Sequence, residues 1–265
     1  MEFNGYSLTE SYEMGKILFI HGEYEKSLEC YNRVLEMDPL FAEAWYNRGL
    51  VYGEIGNYKE EICCYDKAIE INCNLLEAWY NKGLSAGGTG KYEEALKCFN
   101  KVIEINGSFI EALNNKGLIL CKQGKYEESI ENFDKALSID EKFIQGWYNK
   151  GLTLYNQEKY KESVDCYNKA LELDMEFTSA WYNKGLALFN QKEYREAIKC
   201  YDKVIEMEPE EPLHALIEKG KSLHWLKEYE DALECFDRVL SIKPGHYEAL
   251  NNKQFTQETM QKEQS

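Results

Sequence analysis

The chain has 265 residues, 44% of them hydrophobic and 29% charged, with 47 acidic against 31 basic side chains and a formal net charge of −16. That balance argues against nucleic acid and against anionic lipid surfaces, because both repel a strongly acidic protein. The partner it favours is a polypeptide carrying basic residues.

The N-terminal stretch MEFNGYSLTESYEMGKILFIHG carries no basic leader, and its longest apolar run, Ile17 to Ile20, is four residues. No run approaches the roughly 20 apolar residues of a membrane span. The expectation is a cytoplasmic chain without a signal peptide, whose nine cysteines stay reduced. After a lead-in of residues 1–7, Ser7-Leu8-Thr9-Glu10 has the capping-box spacing that starts a first helix.

From there the sequence repeats. AWYNRGL at 44–50 returns as AWYNKGL at 78–84 and 180–186, as GWYNKGL at 146–152, and more weakly as ALNNKGL at 112–118. Its glycine recurs at Gly15, Gly49, Gly83, Gly117, Gly151 and Gly185, always 34 apart, and then at Gly220 after 35, the extra residue falling at Pro212. Nine residues beyond each glycine stands Tyr24, Tyr58, Tyr92, Tyr126, Tyr160, Tyr194 or Tyr229. Seven further on comes a second aromatic, Tyr31 through Phe236, then Ala or Val three later. Pro39, Pro209 and Pro244 follow in three of the turns. Apolar and small residues at i, i+4 and i+7, such as Trp45, Gly49 and Tyr52, predict one amphipathic helix per half repeat, with no strand-like alternation. The glycine is expected where two helices cross too closely for a Cβ.

This spacing resembles the tetratricopeptide repeat (TPR), over about 240 residues in seven consecutive copies. The resemblance implies an all-α, right-handed α-solenoid of stacked antiparallel helix pairs. Its repeats would be 8–41, 42–75, 76–109, 110–143, 144–177, 178–212 and 213–246, with 247–265 a C-terminal capping helix and polar tail. It also implies that first helices line a concave groove that binds partner polypeptides and that the repeats do no chemistry. Three departures stand out. A basic residue precedes the glycine at Arg48, Lys82, Lys116, Lys150, Lys184 and Lys219. Glu61, Ser27, Ser129 and Ser163 replace the usual alanine of the second helix, and Cys73, Gly107, Glu141 and Met175 replace the turn proline.

On the inner wall that the family implies, Asn47, Asn81, Asn115, Asn149 and Asn183 form a row, repeated by Asn252 in the last helix. An asparagine both donates and accepts, so such a ladder can hold the backbone of an extended peptide. The alternative is that each asparagine bonds a neighbouring helix or stays solvated. Beside it, Tyr46, Tyr80, Tyr148 and Tyr182 stand four residues before Leu50, Leu84, Leu152 and Leu186, on one helix face, as an apolar floor or as inter-repeat packing. Glu43, Glu77 and Glu111 either select a basic partner or complement a helix N-terminus.

The remaining candidates reduce to scaffold. Cys30, Cys64, Cys98, Cys166, Cys200 and Cys235 occupy one repeat position, too far apart in stacked repeats for zinc or a disulfide. His214 and His224 lie ten residues apart, about 15 Å on a helix. SAGGTGKY at 85–92 approaches a phosphate loop, but no strand precedes it. Its Gly90-Lys91-Tyr92 matches the turn Gly22-Glu23-Tyr24, and Gly87-Gly88 predicts a soft third repeat. The sequence therefore reads as a non-catalytic scaffold without cofactor or metal that binds a peptide along its groove. The alternative is a solenoid that associates with its own copies through its ends.

Overall fold

The structure, a computed structural model, describes residues 6–208 and 210–264. Residues 1–5 of the lead-in, Pro209 and the final Ser265 lie outside the described residues. The described chain is helical throughout and divides into two compact units, Met1–Gln123 and Gly124–Ser265. The first holds α1 (Leu8–Ile20), α2 (Tyr24–Met37), α3 (Ala42–Ile55), α4 (Tyr58–Ile71), α5 (Leu76–Gly88), α6 (Tyr92–Ile105) and α7 (Ile110–Lys122). The second holds α8 (Tyr126–Ile139), α9 (Ile144–Asn156), α10 (Tyr160–Leu173), α11 (Thr178–Asn190), α12 (Tyr194–Met207), α13 (Leu213–Trp225), α14 (Tyr229–Ile242) and α15 (Tyr247–Gln264). Ser7 opens α1 as the spacing predicts, its hydroxyl accepting from the Glu10 amide while Glu10 accepts from the Ser7 amide.

Six of the pairs are locked where the repeat glycine meets the second-helix aromatic. A Cβ built on Gly49 would stand 2.6 Å from Tyr65 Cε1, and one on Gly185 would stand 2.5 Å from Tyr201 Cε1. Those rings are themselves almost wholly buried. The cysteine before the ring is the second half of the fit: Cys64, Cys98 and Cys166 put their own Cβ about 3.2, 3.1 and 3.2 Å from that missing one. The serines that replace alanine have a use as well, since Ser27 and Ser163 donate to the carbonyls of Gly15 and Gly151 at 2.8 Å.

Four of the turns between repeats lack proline, and two other devices hold the turns. Asp38, Asn72, Asn106, Asp140 and Asp174 each accept, through Oδ1, the amide two residues on at 2.9–3.1 Å, an Asx turn that mimics a backbone turn. The tryptophan indoles of Trp45, Trp79, Trp147 and Trp181 then donate to the carbonyls of Pro39, Cys73, Glu141 and Met175, all at 2.9 Å. Tryptophan thus pins the turn six residues upstream of itself, a role that its place in an apolar stripe does not announce.

The basic residue before the glycine reaches back 16 or 17 residues to the preceding second helix. Lys82, Lys150 and Lys219 meet Asp66, Asp134 and Asp202 at 2.6 Å, and Lys253 meets Asp237 at 2.5 Å. Arg48 instead donates to the Asn32 amide oxygen at 3.1 Å. At the C-terminal end, α15 follows the last described helix pair. It is tied to α13 by the buried His224, whose Nδ1 lies 2.9 Å from the Thr256 hydroxyl.

Within each pair the sharp turn needs a left-handed residue. Gly22, Gly56, Gly90 and Gly124 supply φ between +75 and +80°, as the turn reading of SAGGTGKY requires. The later repeats place Glu158, Lys192 and Lys227 there at φ 62–65°, which costs an L-residue about 1–2 kcal/mol.

Two stability tests follow from these contacts. Gly185→Ala gains about 1 kcal/mol of helix propensity but drives a methyl into a buried ring, so a net loss of about 2 kcal/mol is expected in urea unfolding. Lys192→Gly relieves the left-handed strain at the cost of glycine's chain entropy, and a net gain of about 0.5–1 kcal/mol is expected from the same measurement.

Candidate protein-interaction surface

The first helices of successive pairs meet one another directly: α1 with α3 and α5 with α7 in the first unit, and α9, α11, α13 and α15 in turn in the second. No comparable contact joins second helix to second helix among the described residues. The first helices therefore form the inner wall of each unit, and the asparagine row lies on it.

Each asparagine of the first unit is used between repeats. Asn47, Asn81 and Asn115 donate through Nδ2 to the hydroxyls of Tyr12, Tyr46 and Tyr80, 35 residues earlier, at 2.8, 2.9 and 2.9 Å. In the second unit Asn183 donates to Tyr148 at 2.9 Å and to its own helix at Ser179. A second tier there joins Asn190 to Tyr155 at 3.0 Å. Asn149 is buried, and Asn252 bonds the Glu248 carbonyl of its own helix. The asparagine–tyrosine pair is thus one unit, a rung between repeats. The alternative that each asparagine bonds a neighbouring helix describes one of its two donors.

A rung leaves hydrogen-bonding capacity over. The tyrosine oxygen accepts from asparagine and keeps its own proton. The amide oxygens of Asn47, Asn81 and Asn115 have no protein partner among the described residues. Half-buried rungs of this kind present an O–H donor and a carbonyl acceptor side by side, the complement of a peptide unit.

The exposed Glu43, Glu77 and Glu111 stand beside the rungs. Burial first, and the Glu77 carboxylate second, push the Tyr46 hydroxyl above its usual value. Burial and then Glu111 do the same to Tyr80, and Glu43 adds a smaller push at Tyr12. In the last repeat Glu218 takes the asparagine's place, and burial together with that carboxylate raises Tyr182 to about 12. All these phenols are therefore protonated donors at neutral pH. Of the leucines paired with the tyrosines, Leu84 is exposed, and Leu50, Leu152 and Leu186 are half-buried.

In the second unit Tyr148, Tyr182 and Asn183 line a cavity of about 430 Å³ that also takes in Ser179, Glu211 and His214. It opens where the repeat step lengthens by one residue before α13, whose N-cap is Pro212. The two carboxylates at its edge, Glu208 and Glu211, were not singled out by the repeat pattern because they belong to that irregular link.

Stacked helix pairs, glycine–ring crossings and an inner wall of first helices define an α-solenoid. Models of the tetratricopeptide repeat, described as "Tetratricopeptide repeat" or "TPR repeat", together match residues 15–73, 76–174, 178–211 and 213–246. The chain belongs to the tetratricopeptide repeat family, whose repeats build protein-interaction scaffolds and are generally non-catalytic.

Among solved structures the chain is similar to YrrB, described as a TPR protein with an unusual peptide-binding site. The identity is 27%, the match covers 72% of this chain and 97% of YrrB, and the TM-score is 0.61. The C-terminal part of a TPR protein from Cytophaga hutchinsonii shares the fold at 16% identity, with 91% and 98% of the two chains covered and a TM-score of 0.78. MamA does so at 24% identity, with 64% and 92% covered and a TM-score of 0.60. No curated protein matches the chain. Among the described residues no helix is long and apolar enough to cross a membrane.

The rung is directly measurable. In a double-mutant cycle of Asn81→Ala with Tyr46→Phe, unfolding free energies are expected to show a coupling of about 1 kcal/mol.

Proposed function

We propose that this protein is a non-catalytic, cytoplasmic scaffold that binds an extended segment of a partner polypeptide across its first helices. The observation that carries the reading is the row of rungs, each offering an O–H donor and an amide-oxygen acceptor on the same wall. A peptide backbone repeats those two needs in reverse, so successive rungs hold it without regard to side chains. Each such bond contributes only about 1 kcal/mol net, and affinity accumulates over several repeats. Glu43, Glu77 and Glu111, with the net charge of −16, steer basic residues of the partner to the wall. The peptide-binding site attributed to YrrB gives the reading support from a similar protein.

The test uses twelve-residue peptides selected from a random phage library against the full chain, with binding read by fluorescence polarisation. Asn81→Ala combined with Asn115→Ala removes two backbone acceptors, and a loss of roughly 10- to 30-fold is expected from two bonds of about 1 kcal/mol. Tyr46→Phe with Tyr80→Phe removes the two hydroxyl donors of the same rungs, and a loss of similar size is expected. Unchanged affinity in the asparagine double variant would sink the proposal.

A further inference from the structure

The C-terminal turn of α5 reads Ser85-Ala86-Gly87-Gly88, and glycine is the poorest helix former after proline. Neither glycine has a positive φ that would require it. The helix nonetheless runs through both, with the Thr89 hydroxyl donating to the carbonyls of Ser85 and Ala86.

Outside the third repeat, the place of Gly87 holds a ring four times, and Gly53 and Cys121 once each. Phe19, Tyr155, Phe189 and His224 stand there in four other repeats. Each packs on the tyrosine that opens its second helix, at centroid distances of 6.0, 5.4, 5.3 and 5.4 Å. In the second repeat the residue is Gly53, and the buried Glu61 carboxyl fills the space, 3.2 Å from where a Cβ would lie. In the third repeat neither a ring nor a carboxyl is supplied. A cavity of about 170 Å³ remains between α5 and α7, walled by Leu84, Phe99, Leu118 and Ile119, with Asn115 and Lys122 at its edge.

We infer that this cavity is an anchor pocket for one aromatic side chain of the partner peptide, and that Gly87 and Gly88 determine that specificity. The inference rests on the reading that the rung wall binds a polypeptide. The size suits the occupant, because an apolar cavity of about 150 Å³ lined by Leu, Ile and Phe takes up a benzene ring. The position suits it too, since Asn115 belongs both to the pocket and to the rung with Tyr80.

Charge adds a second selection. Glu77 and Glu111 are exposed in the first turns of the two helices that bound the pocket, while Lys122 sits at its edge. The partner segment therefore carries basic residues away from its aromatic anchor, and no cation beside the anchor.

Two variants and two probes test this on the full chain. A Cβ at Gly88 meets nothing within 4 Å, so Gly88→Leu is the variant chosen to fill the pocket from its rim. Gly87→Phe copies Phe189, and its Cβ would stand 3.2 Å from the tip of Ile119 and 3.8 Å from the Ala95 Cβ. Indole titrated into the wild type is expected to shift the methyl NMR signals of Leu84, Leu118 and Ile119, and to leave them in place in both variants. Phage-selected peptides are expected to share an aromatic residue. Its replacement by alanine should weaken binding at least tenfold to the wild type and less than twofold to Gly88→Leu. Indole without effect on those methyls, or selected peptides that bind Gly88→Leu as tightly as wild type, overturns the pocket and leaves the rung reading intact. A library that yields no binder overturns the rung reading, and the peptide anchor with it.

Discussion

The close approach of two helices at a glycine is the contact on which the rest of this chain depends. Removing one Cβ lets a buried tyrosine or phenylalanine ring lie flat against the first-helix backbone, within a distance no alanine allows. That ring then fills the interior of the pair, and the cysteine or valine neighbours need only be small. Small and aliphatic first-helix residues such as Ala44, Val51 and Ala78 complete that core, which leaves the remaining faces of the first helix free for other contacts. The asparagine, the wall tyrosine and the basic residue before the glycine occupy those released faces.

The released positions are spent on stacking. The rung joins first helix to first helix 35 residues apart, the lysine–aspartate pair joins first helix to the preceding second helix, and the tryptophan indole fixes the turn between them. None is strong alone: an exposed ion pair contributes at most about 1 kcal/mol, and a hydrogen bond about the same. Distributed over the junctions, they set the register of one pair on the next, which the hydrophobic contacts, being non-directional, do not specify.

The period, the helix pairs and the glycine–ring contact were legible in the sequence because each is carried by residue types with a single physical explanation. A glycine at constant spacing inside a helix, with an aromatic 16 residues on, leaves close packing as the economical reading. The rungs were half legible. The asparagines stood out as a row, but their tyrosine partners lie one repeat plus one residue away, so the pairing crosses the repeat frame and is invisible to any comparison made within it. The lysine–aspartate pairs hide for the same reason. The turns misled in another way. Proline marks them in only some repeats, whereas the aspartate or asparagine one residue earlier holds them in five through its side chain. The left-handed Glu158, Lys192 and Lys227 had no signal at all, because long charged residues ordinarily avoid that conformation.

The charge pattern completes the link between scaffold and proposed binding. Many lysines are engaged internally, either across repeats with aspartates or along their own helices with glutamates three residues away. Glu43, Glu77 and Glu111 enter no ion pair among the described residues, and they stand where burial already keeps the neighbouring phenols protonated. The wall therefore shows an incoming segment carboxylates that are uncompensated and hydroxyl donors that do not titrate near neutrality. A basic, extended polypeptide satisfies both at once, whereas an acidic one meets the hydroxyl donors with its backbone but is repelled by the carboxylates. The proposed electrostatic and hydrogen-bonding preferences thus follow from the same arrangement of rungs, with the glycine-vacated cavity in the third repeat as a place on that wall where shape adds to them.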